Sequence, residues 1–444
     1  MPSPVLKLGW AESVLPDAVG LDLTGFLNRE NPSTGVREPL YARALWFDDG
    51  KKSVAWASVD LLAVPWSLVN RVSRRLGSGR GSALRALSIC ATHTHSAPAA
   101  VFLANCGLVG RAWNAALEDT LVSVIAEAAG KAERRVRLRL ASLEAPGYSH
   151  NRRTHLADGT TRIGESGESE VRRRGPLDTT LSVLTAHDGM TDRPVAALVH
   201  FACHAVFYCD RLIGPDWPGR MIGTIRERMG SEFMAMFVQG ACADVNPTLP
   251  GDSVDEGAKR MGDGLGEKAL ECITDMRMGA WLKARVYGGI RLVPLPWRSA
   301  PSEDELSKHL LSPTDWTVAS RDAQARHLWA NRVMRARTRG WWTGGIRMPV
   351  QVLSLGELAV VAVGAEVFTQ TALDLRAART EGPVVTVGYA NDDVGYLPPP
   401  VEYQYGGYEI ERAYRYYGYP DAFAPEAECS AREMAISMMQ REGG

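Results

Sequence analysis

Short apolar runs recur along this chain, and stretches of helical periodicity lie between them. Residues 54–59 and 87–91 read as strands, because four to eight apolar or β-branched positions follow one another without a helical gap. Further strands are expected at 136–143, 181–185, 195–201, 233–238, 286–293, 350–355, 358–363 and 384–387. Helical spacing marks residues 67–76 and 114–135, where Leu117, Leu121, Val124 and Ile125 recur at helical intervals. Residues 301–338 are polar and charged with the same spacing. They open at Ser302-Glu303-Asp304-Glu305, an N-cap followed by an acidic first turn, and read as a helical excursion on the surface of the same domain. Helices at 367–378, directly after Glu366, and at 425–440 complete the pattern. Strands and helices alternate, some strands lie close enough for hairpins, and neither a repeat nor a low-complexity linker divides the chain. The pattern predicts an α/β fold: one domain over residues 1–444, built on a single large mixed sheet flanked by helices.

At 444 residues the chain can bury a large core, and 45% hydrophobic with 23% charged residues is an ordinary globular composition. A formal net charge of -1 argues against a nucleic-acid binder that relies on a broad basic surface. The one basic run, Arg172-Arg173-Arg174, sits in a Gly/Glu-rich stretch and reads as a solvated loop. Seven cysteines, an odd number without CxxC spacing, include several in apolar runs, as at Cys90 and Cys203, which suits buried reduced thiols. Residues 1–7 show neither the basic start nor the apolar stretch of a secretory signal. No apolar run approaches the roughly 18 residues needed to span a bilayer. These features predict a soluble, cytoplasmic chain with no stable membrane association; a homo-oligomer is left open.

The segment Ala91-Thr92-His93-Thr94-His95-Ser96-Ala97-Pro98 places two imidazoles just past a predicted strand, where open α/β sheets carry their reactive groups. Alone, it divides between a turn whose imidazoles bond backbone and a metal site. In Val199-His200-Phe201-Ala202-Cys203-His204, His200 reads as a satisfied core histidine and His204 comes at or past the strand end. Asp216 lies in a Pro/Gly turn that opens a helix. Strand 233–238 leads into Gly240-Ala241-Cys242-Ala243-Asp244-Val245-Asn246-Pro247. Glu366 follows another apolar strand, and Gly388-Tyr389-Ala390-Asn391-Asp392 leads on to Gly395-Tyr396. So many strand ends bearing polar groups imply one cleft.

In this order the pieces resemble the catalytic domain of the neutral/alkaline non-lysosomal ceramidases, a family of zinc amidohydrolases. Glu402-Tyr403 and Tyr408-Glu409 extend the match, which runs from about residue 8 to 420. The resemblance implies Zn2+ held by His93, His204, Glu366 and Tyr396. Two imidazoles and a carboxylate are a ligand set known from zinc hydrolases, and the ion's charge eases loss of the tyrosine proton. Zinc lowers the pKa of its water from 15.7 to about 7. His95, beside the metal, is implied as a donor to the oxyanion or a proton shuttle to the leaving amine. Tyr408 is implied as a second donor near the scissile amide, and Arg152 as a cleft residue bound to a substrate carboxylate or to a structural acid. Asp216 and Asp244 are read as orienters of histidine or of loop backbone rather than ligands.

Three departures qualify the resemblance. The family carries a serine with a catalytic role where this chain has Asn246. An amide still donates to an oxyanion, an interaction worth about 2.7–4 kcal/mol, but it is no nucleophile, so attack by zinc-bound water is expected. Ala97-Pro98-Ala99 stands where the family tends to have glycines. Finally, family members are longer, with a secretory signal and a C-terminal β-sandwich domain that helps them approach lipid. Neither is read in this sequence, so a smaller, soluble substrate is expected. The leading expectation is a zinc-dependent hydrolase cleaving the amide bond of a soluble N-acyl-type substrate. Alternatives are an esterase, lactonase or carbamate hydrolase, an acyl transferase, or, prompted by Asn246, a non-catalytic binding protein; retention of all four ligand positions favours an enzyme.

Overall fold

Strand residues that are apolar on both faces need a layer on each side, and here both layers are present. The computed structural model describes residues 6–77, 84–164, 171–248, 253–340 and 344–441. The main sheet has nine strands. Eight form one path: β1 (Leu6–Val14), β2 (Tyr41–Asp48), β3 (Ser53–Val59), β4 (Leu84–Ala91), β5 (Arg134–Glu144), β6 (Thr180–Asp188), β7 (Pro194–Phe201) and β8 (Met234–Gln239). Their spatial order is β8-β7-β6-β5-β1-β2-β3-β4, and Ala280–Trp281 pairs alongside β5. Only the two outermost pairs, β7 with β8 and β3 with β4, run parallel. A second sheet of four strands follows in chain order: β9 (Val286–Pro296), β10 (Gly345–Leu355), β11 (Leu358–Val363) and β12 (Val384–Val387).

Alternation along β3 shows the layering. Ala55, Ala57 and Val59 face a core shared with helices α1 (Trp66–Arg75), α2 (Arg111–Gly130), α3 (Trp217–Met229) and α4 (Val254–Thr274). Val54 and Trp56 point the other way and meet Val286, Leu353 and Val360 of the second sheet. The far face of that sheet, with Val350, Val352 and Val361, packs on α6 (Thr369–Ala377) and α7 (Glu426–Arg441) through Leu375, Ala427 and Ala431. The expected large mixed sheet with flanking helices is present. The apolar runs from 286 onward, however, form a separate sheet instead of joining it. Both sheets are covered on both faces, so their strands look alike in sequence.

The helical excursion consists of Glu303–Ser307, Pro313–Val318 and α5 (Arg321–Thr338), and Ser302 with Glu305 forms a reciprocal capping box. Three features differ from expectation. The predicted 114–135 helix ends at Gly130 because β5 already begins at Arg134. Arg172-Arg173-Arg174 lies on a short strand, Val171–Arg174, paired with Arg153–Leu156 and still exposed, so it is a sheet edge, not a loop. Helix α4 escaped the sequence pattern because Gly257, Gly262, Gly264 and Gly266 lower its helical propensity. Two of them serve packing: a Cβ at Gly262 would press on Arg220 and the Trp217 carbonyl, and one at Gly266 on the Thr224 side chain. Among the described residues no helix is long and apolar enough to cross a membrane.

The segment after β12 gathers the strand ends. Ala91 N donates to Tyr389 O at 3.0 Å, Gly388 N to Gln239 O at 3.2 Å and Ala390 N to Val363 O at 3.1 Å. It thereby closes across β4, β8 and β11, where the polar groups emerge.

Candidate active site

His93 leaves β4 with φ at 62°, in the left-handed region, and His95 follows in a turn held by its amide on Ala205 O at 3.1 Å. His204 comes just after β7. Each imidazole is fixed the same way, through Nδ1 on a backbone carbonyl: His93 on Leu62 at 2.8 Å, His95 on Gly25 at 3.1 Å and His204 on Val245 at 3.0 Å. A carbonyl only accepts, so each Nδ1 carries the proton and each Nε2 presents a lone pair. The three Nε2 atoms nevertheless converge within 4.8 Å of one another, and those of His93 and His95 are 3.3 Å apart. Burial pushes His93 down to about 3 and His95 well below the ordinary imidazole range, which disfavours a proton between them. Converging lone pairs on backbone-anchored imidazoles suit a metal cation.

The carboxylate of Glu366 completes this cluster, its Oε2 lying 3.5 Å from His204 Nε2 and 3.9 Å from His93 Nε2. Tyr417 donates its hydroxyl to Oε1 at 2.6 Å, and Tyr389 donates to Oε2 at 3.4 Å while stacking on His93 with ring centroids 3.8 Å apart. Burial opposes ionisation of Glu366, but the adjoining imidazoles of His204 and His93 and the Tyr417 donor outweigh it and hold the carboxyl at about 2. Glu366 sits opposite Tyr396 in a two-residue parallel ladder. The Tyr396 hydroxyl accepts from Arg152 Nη2 at 3.0 Å. Arg152 Nη1 reaches toward Asn246 Oδ1 at 3.4 Å and His204 Nε2 at 3.5 Å, and its Nε donates to Glu409 at 3.1 Å. Tyr408 sets its ring edge-on to Tyr396, with centroids 5.7 Å apart.

The structure therefore brings His93, His95, His204 and Glu366 together and places Arg152, Asn246, Tyr396 and Tyr408 around them. Arg152 is anchored by a structural acid, Glu409, and still turns two nitrogens toward the cluster. Asp216 and Asp244 touch none of the imidazoles. Asp216 caps α3 through Trp217 N at 2.7 Å and takes Tyr208 N at 3.2 Å; Trp217 in turn donates its indole N–H to His204 O at 3.1 Å. Asp244 accepts from Thr369 N and Oγ1, both at 2.9 Å, and from Asn151 Nδ2 at 2.7 Å, fixing the segments beside Glu366 and Arg152. Burial lifts both aspartates to about 6. His200, inside β7, bonds Thr386 O through Nε2 at 2.9 Å.

Sequence reasoning passed over Tyr389 and Tyr417, which hold Glu366. It gave no role to Arg153 or to Glu402, which lies in a matching motif; both belong to a buried charge cluster behind Arg152. Arg153 Nε donates to Glu402 at 2.9 Å and its Nη1 pairs with Glu409. Tyr389 lies in a quoted motif and has φ at 52°; nothing local separates Tyr417 from its tyrosine neighbours.

A mixed sheet whose strand ends carry a buried histidine cluster and a carboxylate offers a donor set for a metal ion. The family profile described as neutral/alkaline non-lysosomal ceramidase, N-terminal, matches residues 12–264, more than half of the chain. The chain belongs to that family, which makes it an amide hydrolase. Among solved structures it resembles neutral ceramidase from Pseudomonas aeruginosa at 18% identity and a TM-score of 0.73, covering 99% of this chain and 75% of that one. A ceramidase complexed with C2 matches at 18% identity and a TM-score of 0.76, covering 99% of this chain and 76% of that one. At this identity the likeness speaks for the fold. No curated protein matches.

Proposed function

We propose that the chain is a zinc-dependent amidohydrolase acting on a soluble N-acyl-type substrate. The observation that carries the metal is the convergence of three Nε2 lone pairs, each backbone-anchored, beside the Glu366 carboxylate. His93, His204 and Glu366 would hold the ion, with Tyr396 as the fourth group that the family resemblance implies. When bound, zinc supplies a Lewis acid that polarises the scissile carbonyl and makes water a nucleophile near neutral pH. The remaining groups act on the substrate. Arg152 and Tyr408 donate to the developing oxyanion, and Asn246 stands beside Arg152 where an amide orients the substrate. His95 is the half-buried member of the cluster, and its Nε2 accepts in this tautomer. It takes a proton from the attacking water and returns it to the leaving amine. The polar ring of Arg152, Asn246, Tyr396 and Tyr408 supports a substrate with polar groups close to the amide.

Elemental analysis of the purified chain is expected to give one zinc per chain, lost in His93→Ala. A panel of N-acyl amides, their matched esters and dispersed ceramide is expected to show turnover of soluble amides, abolished by Glu366→Gln. Metal-free protein with full activity would sink the zinc reading. Turnover of esters or ceramide alone would sink the substrate reading.

A further inference from the structure

Helix α5 presents two faces. One, through Trp329, Ala330 and Val333, is buried with Leu306 of the helix Glu303–Ser307. The other carries His327, Leu328, Asn331, Arg332, Arg335 and Arg339, spaced so that all lie along one stripe, and this stripe roofs a cavity of about 650 Å³. The volume falls within the roughly 300–1,000 Å³ typical of small-molecule sites. The floor is apolar: Trp297 directly after β9, Ile346 of β10, Phe102, and the Tyr419 ring, which lies 4.8 Å from that of Trp297. The edge is cationic. No carboxylate lines the cavity, and Arg332 and Arg335 make no ion pair among the described residues. Arg332 is laid over the Phe102 ring at 4.4 Å, and its stem occupies the space that a Cβ at Gly418 would need. Gly418, at φ 74°, thus leaves the guanidinium parked at the cavity mouth.

An apolar slot with the Arg332 and Arg335 guanidinium groups at its edge selects one kind of molecule. The slot takes a hydrocarbon chain, and the arginines take an oxyanion through their planar forks. We propose that the cavity beneath α5 binds an amphipathic anion, an apolar chain ending in a carboxylate. The assignment rests on this cavity and not on the reaction at the histidine cluster, although an amide hydrolase that releases an acyl group would generate such an acid. A neighbouring cavity of about 430 Å³ shares Phe102, Arg332 and Tyr419, is lined also by Asp392 and Asp393, and reaches Tyr417. Because the Tyr417 hydroxyl is bonded to Glu366, an occupant here sits one side chain away from the active site.

The test is calorimetric titration of the full chain with decanoate, against decyltrimethylammonium and acetate as controls. One decanoate per chain is expected, with affinity unchanged in His93→Ala, at least tenfold weaker in Arg332→Gln/Arg335→Gln, and absent in Leu328→Trp, which fills the slot. The arginines are exposed, so the double variant keeps the fold, as its melting curve will show. Acetate and the cationic amphiphile should bind at least tenfold more weakly than decanoate. Decanoate binding that survives the double arginine variant, disappears in His93→Ala, or is matched by the cationic amphiphile overturns the proposal. Retained binding together with a failed zinc analysis would overturn the proposed function and leave this site standing.

Discussion

Tyr417 joins the C-terminal tyrosine run to the cluster through a single atom, its hydroxyl 2.6 Å from Glu366 Oε1. A donor on the outer oxygen of a carboxylate ligand fixes which lone pair of the inner oxygen points at the ion, and removing such an outer contact typically costs about 10–100-fold in metal affinity. On the proposed function, Tyr417→Phe is therefore expected to weaken zinc binding by that factor in a chelator competition, with the zinc-free fold retained; an unchanged affinity would show that Glu366 is oriented by its backbone alone. That His93, His204 and Glu366 share one cleft was legible in the sequence because each stands just past an apolar strand; their reading as ligands came from the family resemblance. Tyr417 was not legible, since Tyr414, Tyr416, Tyr417 and Tyr419 lie within six residues and only the folded backbone decides which of them faces inward. Arg153 and Glu402 were hidden for a different reason. A charged residue in a sequence is presumed solvated, and its burial depends on an opposite charge some 250 positions away.

Between elements, the contact of α3 with α4 tests whether glycines placed for close approach outweigh their poor helical propensity. Gly223, on α3, has nothing within 4 Å of an added Cβ, whereas at Gly266, on α4, that atom would lie 2.7 Å from Thr224 Cβ and 3.1 Å from the Met221 carbonyl. Gly223→Ala should raise the thermal midpoint, gaining about 0.5–1 kcal/mol from propensity and a stiffer unfolded chain. Gly266→Ala should lower it, because overpacking costs about 1–3 kcal/mol. Opposite signs for one chemical change are the expected outcome; equal signs would mean that α4 slides freely. The same interface carries a pH-dependent contact. Burial would raise the Asp263 carboxyl, but Arg220, Lys259 and the Thr224 hydroxyl outweigh it and hold it at about 2, against 3.8 for the free group. A depressed carboxyl stabilises the fold above pH 4 and loses that contribution as pH falls toward 2. Both partners are partly exposed, so the contribution is about 0.2–1 kcal/mol. Denaturant midpoints of Asp263→Asn and the parent should differ at pH 6, with the gap shrinking below pH 4 and closing only as pH falls to about 2.

Across the whole molecule, the sequence pattern predicted the content of the layers better than their connection. Strand after strand was placed, but β1 and β2 at the middle of the main sheet were missed. Charge obscures β2: Arg43 is buried there and answered by Glu12 at 3.2 Å and Asp60 at 3.4 Å, neither of which local periodicity reveals. A related long-range pairing ties the two halves of the chain at the site. Both oxygens of Glu409 are used, Oε1 on Arg152 Nε at 3.1 Å and Oε2 on Arg153, so one carboxylate links the 149–156 arm to the segment that carries Tyr408. Glu409→Gln keeps the shape, removes the charge and sets an amide NH2 group against a guanidinium. Breaking a buried pair from one side costs about 3–5 kcal/mol, because the partner's charge stays buried without its counterion. Glu402→Gln is the matched control, since Glu402 bonds Arg153 at 2.9 Å and does not touch Arg152. Both variants should melt at lower temperature than the parent. Below both melting points, however, only Glu409→Gln should also lose kcat/KM, by about tenfold or more, because only there is Arg152 released from its pose on Tyr396. If both variants keep full kcat/KM while melting early, the cluster is a staple of the fold and Arg152 needs no anchor to act.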